Sequence, residues 1–336
     1  MLIDSPEFIE HYRHRETSKT PTLLVAIFTI LLISSNTSAE ILWESDFESN
    51  NMEAEGWRPM KSGPGSSVEL LSRPGVPACS GNRSMRFKVD YTGFDTPSFR
   101  AQAVMAGVKG VPPYVQRFEH GRTYWISYAF YIPSAGFLPA DEDGNSFFSM
   151  IKSLDKCDDI NQPGAFSNGL IFENGKQHWR AVGRKNLPKC ADKSTQQYVY
   201  RKTGPEIRYD DWNIFVYKVK FSLSKGEASI WVNGENFVQY SGPLGQNNDR
   251  GPYPQFGIYK ASWRGNTQKS ATVFGGSNWG GFRGITTRFA YMDDWRIGDE
   301  RSSYDEVVVR SCGYLANADH PVALSTPATP LIRRAP

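Results

Sequence analysis

Two Asn-Gly dipeptides, Asn174-Gly175 and Asn233-Gly234, each lie between runs of alternating apolar and polar residues, and they narrow the folds open to this chain more than any other feature. A two-residue hairpin turn that matches the twist of its strands needs positive φ at both central positions, which Asn and Gly tolerate. Each dipeptide therefore predicts an antiparallel pair, within "GLIFENGKQHWRAVG" and "EASIWVNGENFVQY". Further alternating runs are "SMRFKVDY", "SFRAQAVM", "TYWISYAFYIP", "SFFSMIKSL", "NIFVYKVKFSL", "QFGIYKAS" and "RFAYMDDWRIG". Helical periodicity is nearly absent after residue 40 and no internal repeat is evident. The expected fold is all-β, two stacked antiparallel sheets of the jelly-roll kind over residues 40–312, with 313–336 a loose tail.

Residues 22–33, "TLLVAIFTILLI", are too short to cross a bilayer comfortably. They follow Arg13, Arg15 and Lys19 and precede "SSNTSAE", which reads as a signal peptide over residues 1–39, cleaved after Ala39; an uncleaved anchor is the alternative. The protein is then secreted or periplasmic, with no stable membrane span after cleavage. Export makes Cys79, Cys157, Cys190 and Cys312 disulfide formers rather than metal ligands. Three connectivities are open, and Cys157–Cys190 with Cys79–Cys312 is favoured. With 38 Lys+Arg against 35 Asp+Glu the chain is nearly balanced, and no basic cluster or aromatic ribonucleoprotein motif argues for a nucleic-acid partner. It is expected to act as a monomer.

Alternation sorts residues by face. In "QFGIYKASWRG", Phe256 and Ile258 share one side, and Gln255, Gly257 and Tyr259 the other. Arg100 and Gln102 oppose Phe99, Ala101 and Ala103, while Lys176, His178 and Arg180 oppose Trp179 and Ala181. A sheet face bearing Arg, Gln, His, Lys and Tyr suits an anionic ligand. It also suits elimination across the C4–C5 bond of a uronic acid, which needs the sugar carboxylate neutralised, the C5 proton removed and the departing O4 protonated. Tyrosine, with an ordinary pKa of about 10, becomes a base when neighbouring cations favour its phenolate. Lys260, Arg264, Arg100 and Lys152 are candidates for those cations.

The segments "FEHGRTYWISYAFYIP", "SFFSMIKSL", "ASIWVNGE", "QFGIYKASWR" and "FAYMDDWRIG", in that order, resemble the heparin lyase I-like polysaccharide lyases, related in fold to glucuronan and alginate lyases. The likeness runs over roughly residues 41–300. It implies a concanavalin-like β-jelly roll with a cleft on one sheet, and cleavage of an acidic polysaccharide by β-elimination. The family's tyrosine falls on Tyr259 and its early arginine on Arg100. Gln102 stands where relatives have glutamate, Gln255 where many have lysine, and Lys152 where many have histidine. The resulting expectation makes Tyr259 the acid and base. Arg100 and Gln102 neutralise the uronate, His178 or Lys152 assists proton transfer, and Lys260, Arg264, Trp263, Lys176, Arg180 and Gln255 bind substrate.

Two other readings stay open. A glycoside hydrolase needs two carboxylates flanking the bond, and Glu44, Asp46 and Glu48 in "WESDFES" alternate onto one strand face. A binding module on the same fold would hold polymer without cutting it. No cofactor is required by the elimination reading, but Asp46, Asp293 and Asp294, on the first and last strands, are oxygen donors suited to a structural calcium ion.

Overall fold

The computed structural model describes residues 39–72, 74–90, 99–105, 117–135, 146–152, 166–173, 176–189, 195–247, 251–260 and 287–312. The expected leader, the tail, Trp263, Arg264, Cys157 and Cys190 lie outside them, as do Asn174 and Gly175. No helix among the described residues is long and apolar enough to cross a membrane.

The strands are β1 (Ile41–Ser45), β2 (Arg58–Ser62), β3 (Ser67–Leu71), β4 (Ser84–Asp90), β5 (Phe99–Val104), β6 (Thr123–Tyr131), β7 (Ser146–Lys152) and β8 (Phe166–Glu173). They continue as β9 (Lys176–Asn186), β10 (Gln197–Glu206), β11 (Trp212–Lys220), β12 (Glu227–Val232), β13 (Glu235–Ser241), β14 (Gly245–Gln246), β15 (Tyr253–Lys260) and β16 (Thr287–Gly298). One sheet runs β13-β12-β11-β6-β16-β4-β3, with β1 also paired to β16. The second runs β10-β9-β8-β7-β15-β5-β2, with β14 beside β9. Pairing is antiparallel except for the two-residue β14–β9 contact, so the jelly-roll sandwich stands as the fold.

Both antiparallel strand pairs form on either side of the dipeptides. Asn233 and Gly234 have φ of 53° and 84°, the doubly positive turn, and close the register Val232↔Glu235. Strands β8 and β9 pair down to Glu173↔Lys176. The core lies between the sheets, where Phe87, Phe130 and Phe215 of the first meet Phe99, Ala101, Trp179 and Phe256 of the second. Trp179 packs edge-on against Phe215, with ring centroids 4.7 Å apart, and its buried indole N–H donates to Asn213 at 3.1 Å. That bond removes the penalty of burying an indole donor without a partner.

The other face of the first sheet is also covered. After β16 the chain turns at Asp299, forms a short helix Tyr304–Val307 capped by Ser303 and Glu306, and lays Val307, Val308 and Val309 against Trp125, Ala129, Trp212 and Val216. The Cys79–Cys312 disulfide fastens this segment, as expected from sequence. The Val309 N–H also donates to Ser127 Oγ at 3.3 Å.

Candidate active site

The segment that carries Tyr259 is built around a glycine. Gly257 has φ +118°, and a Cβ there would strike the Ala101 carbonyl and the Gln102 backbone on the neighbouring strand. A residue without a side chain is thus required between Gln255 and Tyr259. Phe256 and Ile258 go into the core, and the register Gly257↔Gln102 and Tyr259↔Arg100 places Tyr259 beside Arg100 on the opposite, outer face.

The Arg100 guanidinium stands 4.7 Å from the centroid of the Tyr259 ring. Its Nη1 donates to Met60 Sδ at 3.1 Å, a contact supplied by β2. Next to it, Gln255 Nε2 donates to Gln102 Oε1 and to Met60 Sδ, the latter at 3.5 Å. Both glutamines are fully buried, yet among the described residues Gln102 Nε2, Gln255 Oε1 and Arg100 Nε find no hydrogen-bond partner. Turning both amides over reverses their mutual bond and still leaves one donor and one acceptor unmet. Each such atom costs about 1–3 kcal/mol, so the three together are a local cost to stability at this spot.

Tyr253, two residues before Gln255, completes this side. Its ring lies 5.1 Å from the Arg117 guanidinium, and burial pushes its hydroxyl up to about 12 against the pull of Arg117 and Arg100. It is a neutral hydrogen-bonding group at working pH. Tyr253, Met60 and Arg117 escape the sequence reading. The alternation Tyr253, Gln255, Gly257, Tyr259 could have revealed the first.

Several expected residues sit elsewhere. Lys260 pairs with Phe99 on the inner side of β15 and is fully buried, because alternation carries it opposite to Tyr259; it does not line the outer face. Lys152 pairs with Tyr253, six residues along β15 from Tyr259, a separation of about 20 Å. Lys152 therefore does not stand beside Tyr259. His178, Lys176 and Arg180 do share the outer face, on β9, but β9 is three strands from β15, or about 14 Å. His178 Nδ1 is 3.1 Å from the Gly204 carbonyl, which can only accept, so Nδ1 carries the proton and Nε2 is the basic nitrogen. Lys176 is paired with Glu206 at 2.7 Å.

The carboxylates of the alternative readings lie on or just after strands of the first sheet, β1 and β16. Strand β1 belongs to the other sheet and ends at Ser45, and Phe47 at φ 57° breaks the alternation expected through Glu48. Glu48 accepts the N–H groups of Asn82 and Arg83, each at 2.8 Å, and Asp46 accepts that of Glu48. Asp293 is fully buried and accepts N–H bonds from Cys79, Ser80 and Asp294, at 2.7, 3.2 and 2.9 Å. Asp294 accepts from the hydroxyls of Ser80 and Ser311. These two aspartates anchor loops. Among the described residues the one group of three metal-type side chains is Cys79, Asp294 and Cys312, whose cysteines are joined in the disulfide, and neither Asp46 nor Asp293 belongs to it.

A family model described as polysaccharide lyase matches residues 50–296, most of the chain and all of the site just described. This chain belongs to the polysaccharide lyase family. No curated protein matches this chain by sequence. Among solved structures, the endo-β-1,4-glucuronan lyase of the fungus Trichoderma reesei superposes with a TM-score of 0.59 at 13% identity, covering 80% of this chain and 98% of that one. An exolytic alginate lyase of Zobellia galactanivorans gives 0.47 at 10% identity, covering 77% and 99%. The catalytic domain of a family 131 glycoside hydrolase of Coprinopsis cinerea gives 0.44 at 12%, covering 80% and 98%. At 13% identity the likeness to the glucuronan lyase is one of fold.

Proposed function

We propose that the lyase cleaves a uronic-acid-containing polysaccharide by β-elimination at the outer face of β5 and β15, in the manner of the heparin lyase I-like group. The observation that carries this reading is the cation-flanked Tyr259 next to a buried pair of amides with one donor and one acceptor unmet. Arg100 and the Gln102–Gln255 pair take the sugar carboxylate, and the negative charge that builds on it as the C5–H bond weakens is stabilised there. Tyr259, acting as its phenolate, accepts the C5 proton and becomes the hydroxyl; the C5–H electron pair forms the C4–C5 double bond while the C4–O4 bond breaks. The same hydroxyl returns the proton to O4, so the group is restored within one turnover. His178, three strands away, takes no part in this step; with Arg180 it binds the polymer farther along the face.

Export belongs to the same reading: the apolar run at residues 22–33 supports removal of a leader, and the Cys79–Cys312 disulfide suits an oxidising compartment. The test is ultraviolet absorbance during incubation of the mature chain with glucuronan, alginate, pectate, heparan sulfate and heparin. Elimination creates an absorbing unsaturated uronate and hydrolysis does not. A rise with one polymer establishes the chemistry and the substrate together. Polymer retained at unchanged length and without absorbance would instead mark a binding protein.

A further inference from the structure

The sheet carries a second cationic group on the same face. Cross-strand pairing continues from Arg100 through Tyr259, Phe147 and Gly169 to Arg180, and a neighbouring row runs from Gln255 through Met150, Ser167 and Val182 to Arg201. Directly paired residues share a face, so both rows lead from the proposed cleavage point across the sheet to β9 and β10. At their far end Tyr198, opposite Arg184 in the register, is 54% exposed, one of three large apolar side chains so exposed among the described residues. The guanidinium of Arg201 stands 3.6 Å from the centre of its ring and that of Arg184 5.2 Å.

We infer that Tyr198, Arg180, Arg184 and Arg201 form a distal subsite that holds an acidic sugar of the polymer while cleavage proceeds at Tyr259. This rests on the lyase reading above. An exposed aromatic ring gives a platform for the apolar face of a sugar, and guanidinium groups beside it give forked donors to a carboxylate or sulfate. The cations crowd one another. Burial and then the charges of Arg184 and Arg201 hold Arg180 below its ordinary pKa. Burial works to raise Tyr198, but Arg184 and Arg201 outweigh it and hold the phenol lower. An anion placed among them relieves that repulsion. From β15 to β10 is four strand spacings, about 19 Å, so only a chain of several sugars bridges the two places.

The experiment compares Arg184→Gln/Arg201→Gln with the native sequence, both in kinetics and in polymer retention on affinity gels. The ratio of kcat/KM on long polymer to that on a tetrasaccharide should fall about tenfold, through KM rather than kcat, the effect of removing roughly two partly exposed charge contacts. Retention is measured in the Tyr259→Phe background, with polyglucuronate, heparin and a neutral soluble glucan in separate gels. Loss of polyglucuronate retention in the double variant supports the subsite even if no polymer is ever cleaved; retention lost for heparin alone assigns it to sulfate. An unchanged ratio with unchanged retention overturns the proposal, as does equal loss on the neutral glucan. Tyr198→Phe checks the ring: retention close to native supports a stacking platform, and full loss overturns that part.

Discussion

Arg100 and Tyr259 occupy the same register position on adjacent strands, with the guanidinium 4.7 Å from the ring centroid. The pair is set by β-sheet geometry, because Gly257 and the core residues Phe256 and Ile258 fix which way the tyrosine must point. Tyr259→Phe keeps the ring and its contact with Arg100 and removes only the hydroxyl. Elimination should fall at least about 10²- to 10⁴-fold in kcat, the range for a lost proton-transfer group, with the thermal midpoint and circular dichroism unchanged. Near-native turnover would remove Tyr259 from the mechanism.

Arg100→Lys keeps the positive charge but loses the fork that can meet both oxygens of a carboxylate. A drop of about 10- to 100-fold in kcat/KM is expected from the loss of charge-assisted hydrogen bonds. Arg100→Ala should lose more. If both variants match the native protein in steady-state assays, carboxylate neutralisation lies elsewhere.

The buried glutamines separate stability from function. Gln102→Leu alone strands the Gln255 amide and should cost about 1–3 kcal/mol in denaturant unfolding. The double change Gln102→Leu/Gln255→Leu removes both amides and should return stability to within about 1 kcal/mol of native, since two apolar groups of similar shape replace a half-satisfied polar pair. Activity should stay lost in both. Recovery of activity along with stability would count against a role in binding.

Burial, and then the charge of Asp294, push the Asp293 carboxyl up to about 8 despite its three N–H donors. A carboxyl raised in the folded state holds a proton there that the unfolded chain has released. Stability contributed this way is fully present below the unfolded pKa of about 4 and falls as pH rises toward 8, by at most about 1.4 kcal/mol per pH unit. Chemical unfolding of native protein and Asp293→Asn across that window should show a flatter slope for the variant. Parallel slopes would mean that the donors keep Asp293 ionised.

Cys79 and Cys312 are 233 positions apart, so their bond closes a very long loop. Cys312→Ser should lower the unfolding free energy by about 2–5 kcal/mol. Tryptophan fluorescence should also report it, because the segment held by the bond covers Trp125 and Trp212. Equal stability with and without the bond would show that the packing of Val307–Val309 suffices.

Much of this architecture is legible in the sequence. The hairpin at Asn233-Gly234 and the outward turn of Tyr259 follow from local rules that tertiary packing did not override. Strand β10 escaped because "QYVYRKTGPE" is an edge strand, mostly exposed, with a Gly-Pro pair that reads as a turn. Only Tyr200 of the strand is buried, too little for alternation to reveal a core face. Strands β2 and β3, five residues each, are similarly half-exposed. Within the site, Arg100 and Gln255 were legible by alternation, but Lys152 and Lys260 were not. Proximity in sequence to Tyr259 says nothing about register on the next strand, and a neighbour along a strand necessarily faces the other way. The spread of Lys176, His178 and Arg180 away from Tyr259 depends on sheet order, which no single-strand pattern contains.

The pairing of β1 with β16 ties the earliest strand of the sandwich to the latest. Strand β16 is also the partner of β6 and β4, so the first sheet is divided until residues 287–298 exist. A growing polypeptide consequently has no intermediate length at which this sheet can close. Until β16 is made, β4 and β6 each present an unpaired edge, the kind of edge through which chains associate with one another.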